Sequence, residues 1–119
     1  MKTDKPTHIT YPDGNKEWWL NNKLHRKNGP AIETTNGNRY WYSNGKLHRE
    51  DGPAVESSSG YKQWWLNDKL HREDGPAIER ADGYKSWYLN DKQYSEPDFY
   101  RELYKLGKIT KEKLFIHLI

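Results

Sequence analysis

A step of 23 residues governs this chain. His25, His48 and His71 fall on it, as do Pro30, Pro53 and Pro76, the series Asn21, Asn44, Asn67 and Asn90, and the series Trp18, Trp41, Trp64 and Trp87. The same interval separates Lys16, Arg39, Lys62 and Lys85, and likewise Ile9, Ile32, Val55 and Ile78. Self-similarity at a fixed period marks a repeat architecture, in which one supersecondary unit is rebuilt and each copy buries a face against the next. The string NDKLHREDGPAIE from Asn67 nearly copies NGKLHREDGPAVE from Asn44 and NNKLHRKNGPAIE from Asn21. Ionisable residues at fixed spacing can form a catalytic loop, but recurrence at one period points to architecture.

Each unit opens on a turn dipeptide: Asp13-Gly14, Asn36-Gly37, Ser59-Gly60 and Asp82-Gly83. The aromatic segment that follows, such as GYKQWWLN from Gly60, reads as a strand, and PAIER from Pro76 reads as a shorter one. NDKLHREDG between them carries two turn signals and reads as loop. One such hairpin is marginal in water, so the units must stack. The expected fold is mainly β: a single-layer antiparallel sheet of stacked 23-residue β-hairpins with a short C-terminal α-helical cap. Residues 1–12 form an N-terminal extension that adds an initial strand, 13–94 form four repeats, and 95–119 form a two-helix cap.

The fourth repeat is degenerate, with Gln93 and Tyr94 where Leu and His stood, as a terminal repeat should be. Ser95 and Asp98 make a capping box, and Phe99, Leu103 and Leu106 share one helical face before Gly107 ends the helix. Thr110 then caps a second helix with Leu114, Phe115 and Leu118 on its apolar side. These helices should cover the last hairpin, whose open edge would otherwise invite aggregation.

Only 33% of the 119 residues are apolar, so the core must be thin. Six Trp and nine Tyr against two Phe and one Met make aromatic rings the packing units, each with a polar tip for water or a partner. Cysteine is absent, which excludes disulfides and thiolate metal sites and suits a reducing compartment. No run of 18 apolar residues and no apolar leader occurs, so a cytoplasmic protein is expected, in the host cytoplasm if the chain is phage-encoded. Charges of both signs are interspersed through the repeats, a poor footprint for nonspecific DNA binding.

Tyr61, Trp65, Asn67, Lys69, His71 and then Asp82-Gly83 resemble the Y-x-x-x-W-x-N-G-K-x-H … D-G pattern of MORN repeats, and the likeness spans residues 13–94. The chain departs from that pattern in having Arg72 directly after His71 and a delayed Gly75. It is also similar to the WYLNGKLHREDGPA repeat proteins of bacteriophage and some bacterial genomes, and more distantly to the YwqK-type MORN variant linked to toxin immunity. The resemblance implies an elongated, twisted single-layer sheet and a binding role.

The repeated histidines do not read as a metal site. Equivalent residues of successive two-strand units lie roughly 9.6 Å apart, whereas zinc needs its nitrogen ligands at about 2.1 Å. Catalysis would have to be written three times over, so no enzyme activity, cofactor or metal is expected. His71 and Arg72 should instead bond carbonyls or carboxylates of the neighbouring unit, with Glu73, Asp74, Gly75 and Pro76 making the turn.

Side chains alternate along the aromatic strands. Lys16, Arg39, Lys62 and Lys85 then form a basic column beside the first tryptophans, and Trp19, Tyr42, Trp65 and Tyr88 form a second aromatic column on the reverse face. The second column, taken as the more exposed, and the loop residues Arg26, Arg49 and Arg72 are the candidate partner-binding set. The expected function is a non-enzymatic protein-binding module, and the phage-type resemblance implies an inhibitor of a host defence or restriction protein. Two alternatives are a nucleic-acid-binding module built on the basic and aromatic columns and a membrane-surface module as proposed for MORN repeats. A homodimer is left open.

Overall fold

The computed structural model describes residues 5–119. Its first strand, β1 (Thr7–Thr10), supplies the expected initial strand and pairs with the first aromatic strand, β2 (Lys16–Leu20). Between them Gly14, at φ 92°, closes a three-residue turn in which its N–H donates to Tyr11 O at 2.8 Å. Glycine tolerates that left-handed backbone without a Cβ penalty.

β2 turns back at once into β3 (Lys23–Leu24), a short return strand within the segment expected to be loop. The reason is backbone conformation. Asn21 and Asn22 take φ 50° and 64°, and the equivalent pairs Asn44-Gly45, Asn67-Asp68 and Asn90-Asp91 are all at positive φ as well. Two consecutive left-handed residues make the tight hairpin turn whose twist matches paired strands, and Asn, Asp and Gly are the residues that accept it. Thus a return strand recurs in every unit: β7 (Lys46–Leu47) and β11 (Lys69–Leu70) repeat the Lys-Leu pair, and β14 (Lys92–Tyr94) takes its place in the fourth. Each of the first three units therefore holds an aromatic, a return and an aliphatic strand rather than two strands, while the fourth ends after its return strand.

The third strand of the first three units is the aliphatic pair: β4 (Ile32–Glu33), β8 (Val55–Glu56) and β12 (Ile78–Glu79). In the middle units the aromatic strand divides around its first tryptophan, giving β5 (Arg39–Tyr40) and β6 (Tyr42–Ser43), then β9 (Lys62–Gln63) and β10 (Trp65–Leu66). The last aromatic strand is continuous, β13 (Lys85–Leu89). The division comes where the strand changes partner and no neighbour spans both halves, as β1 does along β2. Trp41 N–H donates to Ala54 O at 2.8 Å while Trp41 O accepts from His48 N–H at 3.0 Å, so the front half pairs with an aliphatic strand and the back half with its own return strand.

The main sheet runs β1-β2-β4-β5-β8-β9-β12-β13-β14 with β3 beside β2, while β6–β7 and β10–β11 form two-stranded ribbons, all antiparallel. Adjacent units are also joined along the ribbons: Arg49 N–H donates to Trp65 O at 3.1 Å and Asp68 N–H to Leu47 O at 2.9 Å. The chain extends 52 × 36 × 19 Å, as a layered ladder with a thin interior should. Ala31, Ala54 and Ala77 are fully buried in it, one per unit.

The densest packing lies at the C-terminal end. Helix α1 (Glu96–Lys105) starts at Ser95, whose hydroxyl accepts from Asp98 N–H, and α2 (Lys111–Leu118) starts at Thr110, whose hydroxyl accepts from Lys113 N–H. Each cap satisfies a backbone donor that the first turn leaves without an intrahelical partner. Phe99, Tyr100 and Leu103 of α1 and Leu114 of α2 pack with Leu89 of the last strand. The expected apolar faces need correcting at two positions. Leu106 ends α1 and is 55% exposed, and Phe115 sits off the stripe set by Leu114 and Leu118 and is also 55% exposed. No helix among the described residues is long and apolar enough to cross a membrane.

Candidate functional site

Cross-strand register decides which side chains share a face. Lys16, Arg39, Lys62 and Lys85 do align, but Glu33, Glu56 and Glu79 stand directly opposite them, so the column reads Lys16, Glu33, Arg39, Glu56, Lys62, Glu79, Lys85. The expected basic stripe is an alternating-charge ladder. Trp18, Trp41 and Trp64 lie on this same face.

Over each of those rings lies the loop arginine. The guanidinium carbon of Arg26 is 3.7 Å from the Trp18 ring centre, that of Arg49 is 3.9 Å from Trp41, and that of Arg72 is 3.7 Å from Trp64. Each arginine also donates into its own loop. Arg49 Nη1 reaches Pro53 O at 3.1 Å and Glu56 at 3.3 Å, and its Nε reaches Asp51 at 3.1 Å. Arg72 repeats all three contacts with Asp74, Pro76 O and Glu79. A planar fork stacked on a ring and bonded at its edge is arginine chemistry that lysine lacks.

The rest of the string serves this clamp. A Cβ placed on Gly52 would lie 2.9 Å from the Arg49 guanidinium carbon, so the glycine is there for close approach. His48 Nδ1 accepts from the backbone N–H of Asn67 at 3.1 Å, and His25 and His71 do the same for Asn44 and Asn90, each at 3.0 Å. The acceptor must be unprotonated, so the neutral tautomer carries its proton on Nε2, and His71 Nε2 lies 3.0 Å from Glu73. The histidines therefore do contact the neighbouring unit, but through an amide N–H rather than a carbonyl. The arginine side chains bond within their own unit.

The expected partner-binding set is consequently divided. Arg26, Arg49 and Arg72 lie with the first tryptophans, whereas Trp19, Tyr42 and Trp65 lie on the reverse face opposite Leu24, Leu47 and Leu70, with Tyr88 opposite Gln93. All four rings of that second column are half-buried, as are the first tryptophans, so neither column is the open one. The indoles of Trp19 and Trp65 donate to Glu17 and Gln63, each at 2.9 Å, and burial raises the Tyr42 phenol above its usual range.

Open space lies instead between successive loops. One groove, of about 790 Å³, has Trp41 and Ser43 on its floor and the loops of Arg26 and Arg49 as walls. A second, of about 530 Å³, has Trp64 and Leu66 below and the loops of Arg49 and Arg72 beside it. The third equivalent position, over Trp87 and Leu89, is filled by α1. Tyr100 is held there with its phenol raised by burial, under the further influence of Glu96, Arg72 and Asp74, and Lys108 Nζ lies 3.8 Å from Glu73 of the adjoining loop. Sequence reasoning missed these grooves because they belong to no single unit; the signal was the absence of His and Arg from the fourth repeat. Among the described residues no three His, Asp or Glu side chains are grouped to hold a metal ion. Comparison with protein-family models, curated proteins and solved structures found no match for the chain.

Proposed function

We propose that the protein is a non-enzymatic protein-binding module whose partner inserts between the loops on the first tryptophan face. The observation that carries this reading is the third groove. Its floor is built like those of the other two, and the chain's own helix occupies it through Phe99, Tyr100 and Leu103. A surface that takes one apolar helix face and offers two further slots, one floored by Trp41 and Ser43 and the other by Trp64 and Leu66, suits protein recognition, since a preformed site loses little entropy on docking.

The first groove is the wider slot, with Lys27 on one wall and Glu50 and Asp51 on the other, so a partner can be read by charge as well as by fit. The alternating ladder beside it offers no continuous track for phosphates, which favours protein over nucleic acid. The phage-type resemblance adds the expectation that the partner is a host defence or restriction protein, or a toxin to be neutralised.

Affinity capture from the native host, with nuclease treatment, tests the reading. A protein retained from low to moderate salt and released by the double reversal Lys27→Glu/Glu50→Lys supports it. Retention that needs nucleic acid, falls steeply with salt, or ignores the reversal contradicts it.

A further inference from the structure

Among the described residues, one apolar helix face and one groove with an apolar floor are covered only in part, by Lys111 over the Phe115 ring at 5.9 Å and by Arg72 over the Trp64 ring at 3.7 Å. The first is the outer side of α2, where Phe115 is 55% exposed and Ile116 is 67% exposed, with Ile119 one turn on. The second is the groove floored by Trp64 and Leu66.

We infer that α2 of a second copy of this chain occupies the Trp64–Leu66 groove. Three observations converge. First, the spacing matches: α1 fills the third groove with Phe99, Tyr100 and Leu103, at positions i, i+1 and i+4 of a helix, and Phe115, Ile116 and Ile119 repeat that spacing. Second, the floor matches. Leu66 is the equivalent of Leu89, which α1 covers to 6% exposure, whereas the wider groove has Ser43 there. The second groove is thus the closer copy of one known to accept a helix. Third, the charges match. Glu50, Asp51, Glu73 and Asp74 line the walls, and Arg49 and Arg72 are already engaged by Asp51, Glu56, Asp74 and Glu79. α2 brings Lys111 and Lys113, and Lys108 of the same cap already pairs with Glu73 within the chain.

Docked reciprocally, two copies form a closed pair with a twofold axis; docked in one direction, they form longer chains through the same contact. Either way the wider groove stays open. The inference borrows from the functional reading only that these grooves accept a helix, and a monomeric chain would end it while leaving a partner in the wider groove unaffected.

The test is sedimentation of the full chain from micromolar to near-millimolar concentration. The expected result is concentration-dependent association, abolished by Ile116→Glu on the helix side and by Leu66→Glu on the groove side. Because Leu66 is half-buried, the exposed-wall double variant Glu50→Lys/Glu73→Lys provides a second groove-side lesion, and circular dichroism checks that each variant keeps its fold. Mixing Ile116→Glu with Leu66→Glu should restore a heterodimer, because one intact helix then meets one intact groove. A chain monomeric throughout, or association that survives both groove-side variants while still failing with Ile116→Glu, would overturn the proposal; the latter means that α2 pairs with α2.

Discussion

Replacing Arg49 by Lys is the most informative single change, because it keeps the charge and removes the geometry. In the native loop Arg49 stacks on Trp41 at 3.9 Å and donates to Pro53 O, Glu56 and Asp51. Its side chain is 23% exposed, so the contacts are only partly screened by water. A stacked guanidinium at a partly desolvated site contributes about 1 kcal/mol. A charged donor on a carbonyl contributes about 1.5 kcal/mol. The carboxylate pairs, being more exposed, add about 0.5 kcal/mol. Shared atoms make these terms non-additive, so Arg49→Ala should lower stability by about 2–3 kcal/mol. Lysine can hold one bond but cannot stack as a plane, and Arg49→Lys should still cost about 1–2 kcal/mol. Urea unfolding followed by Trp fluorescence and by circular dichroism measures both, and agreement of the two probes licenses a two-state analysis. A lysine variant as stable as the native chain would refute the clamp, since only charge would then matter.

Three other outcomes follow from the same geometry. Gly52→Ala should lower stability by about 1–3 kcal/mol and displace the Arg49 guanidinium, seen as altered Trp41 fluorescence, because its Cβ would meet the guanidinium carbon at 2.9 Å. Phe99→Ala should cost about 3 kcal/mol or more, as Phe99 is fully buried where the cap meets the last strand; a smaller loss in thermal unfolding would mean the helices only rest on the sheet. Tyr42 favours its neutral phenol when folded, so its contribution is intact below the ordinary tyrosine pKa of about 10 and is lost as pH rises through the higher folded value. A phenolate absorbance titration should therefore show a late component that Tyr42→Phe reduces, the raised Tyr100 phenol still contributing to it.

Much of the architecture was legible from the repeat period together with the helix-start residues. The 23-residue step, the antiparallel strands and the helical cap with Ser95 and Thr110 at its helix starts all recur in the structure. The return strand at Lys69–Leu70 was hidden because Asn-Asp reads equally as loop; only its two consecutive positive φ angles mark it as a hairpin turn. Gly75 looked like a turn residue but serves as clearance for a guanidinium. The face assignments were harder still. Alternation along a strand pairs Trp64 with Lys62 correctly, yet it gives no sign that Arg72 folds back over Trp64, or that Glu56 and Glu79 interleave the cations. Those facts depend on cross-strand register, which one strand read in isolation does not contain. The grooves depend on two units at once.

The histidine joints between units give the most direct test of whether the copied string is architecture. Nuclear magnetic resonance can detect scalar coupling through a hydrogen bond between an imidazole nitrogen and a backbone amide nitrogen. Coupling from Nδ1 of His25, His48 and His71 to the amides of Asn44, Asn67 and Asn90, with all three protons on Nε2, is the expected result. Rings protonated at Nδ1 with no such coupling would contradict it, and the string would need a role other than joining one rung to the next.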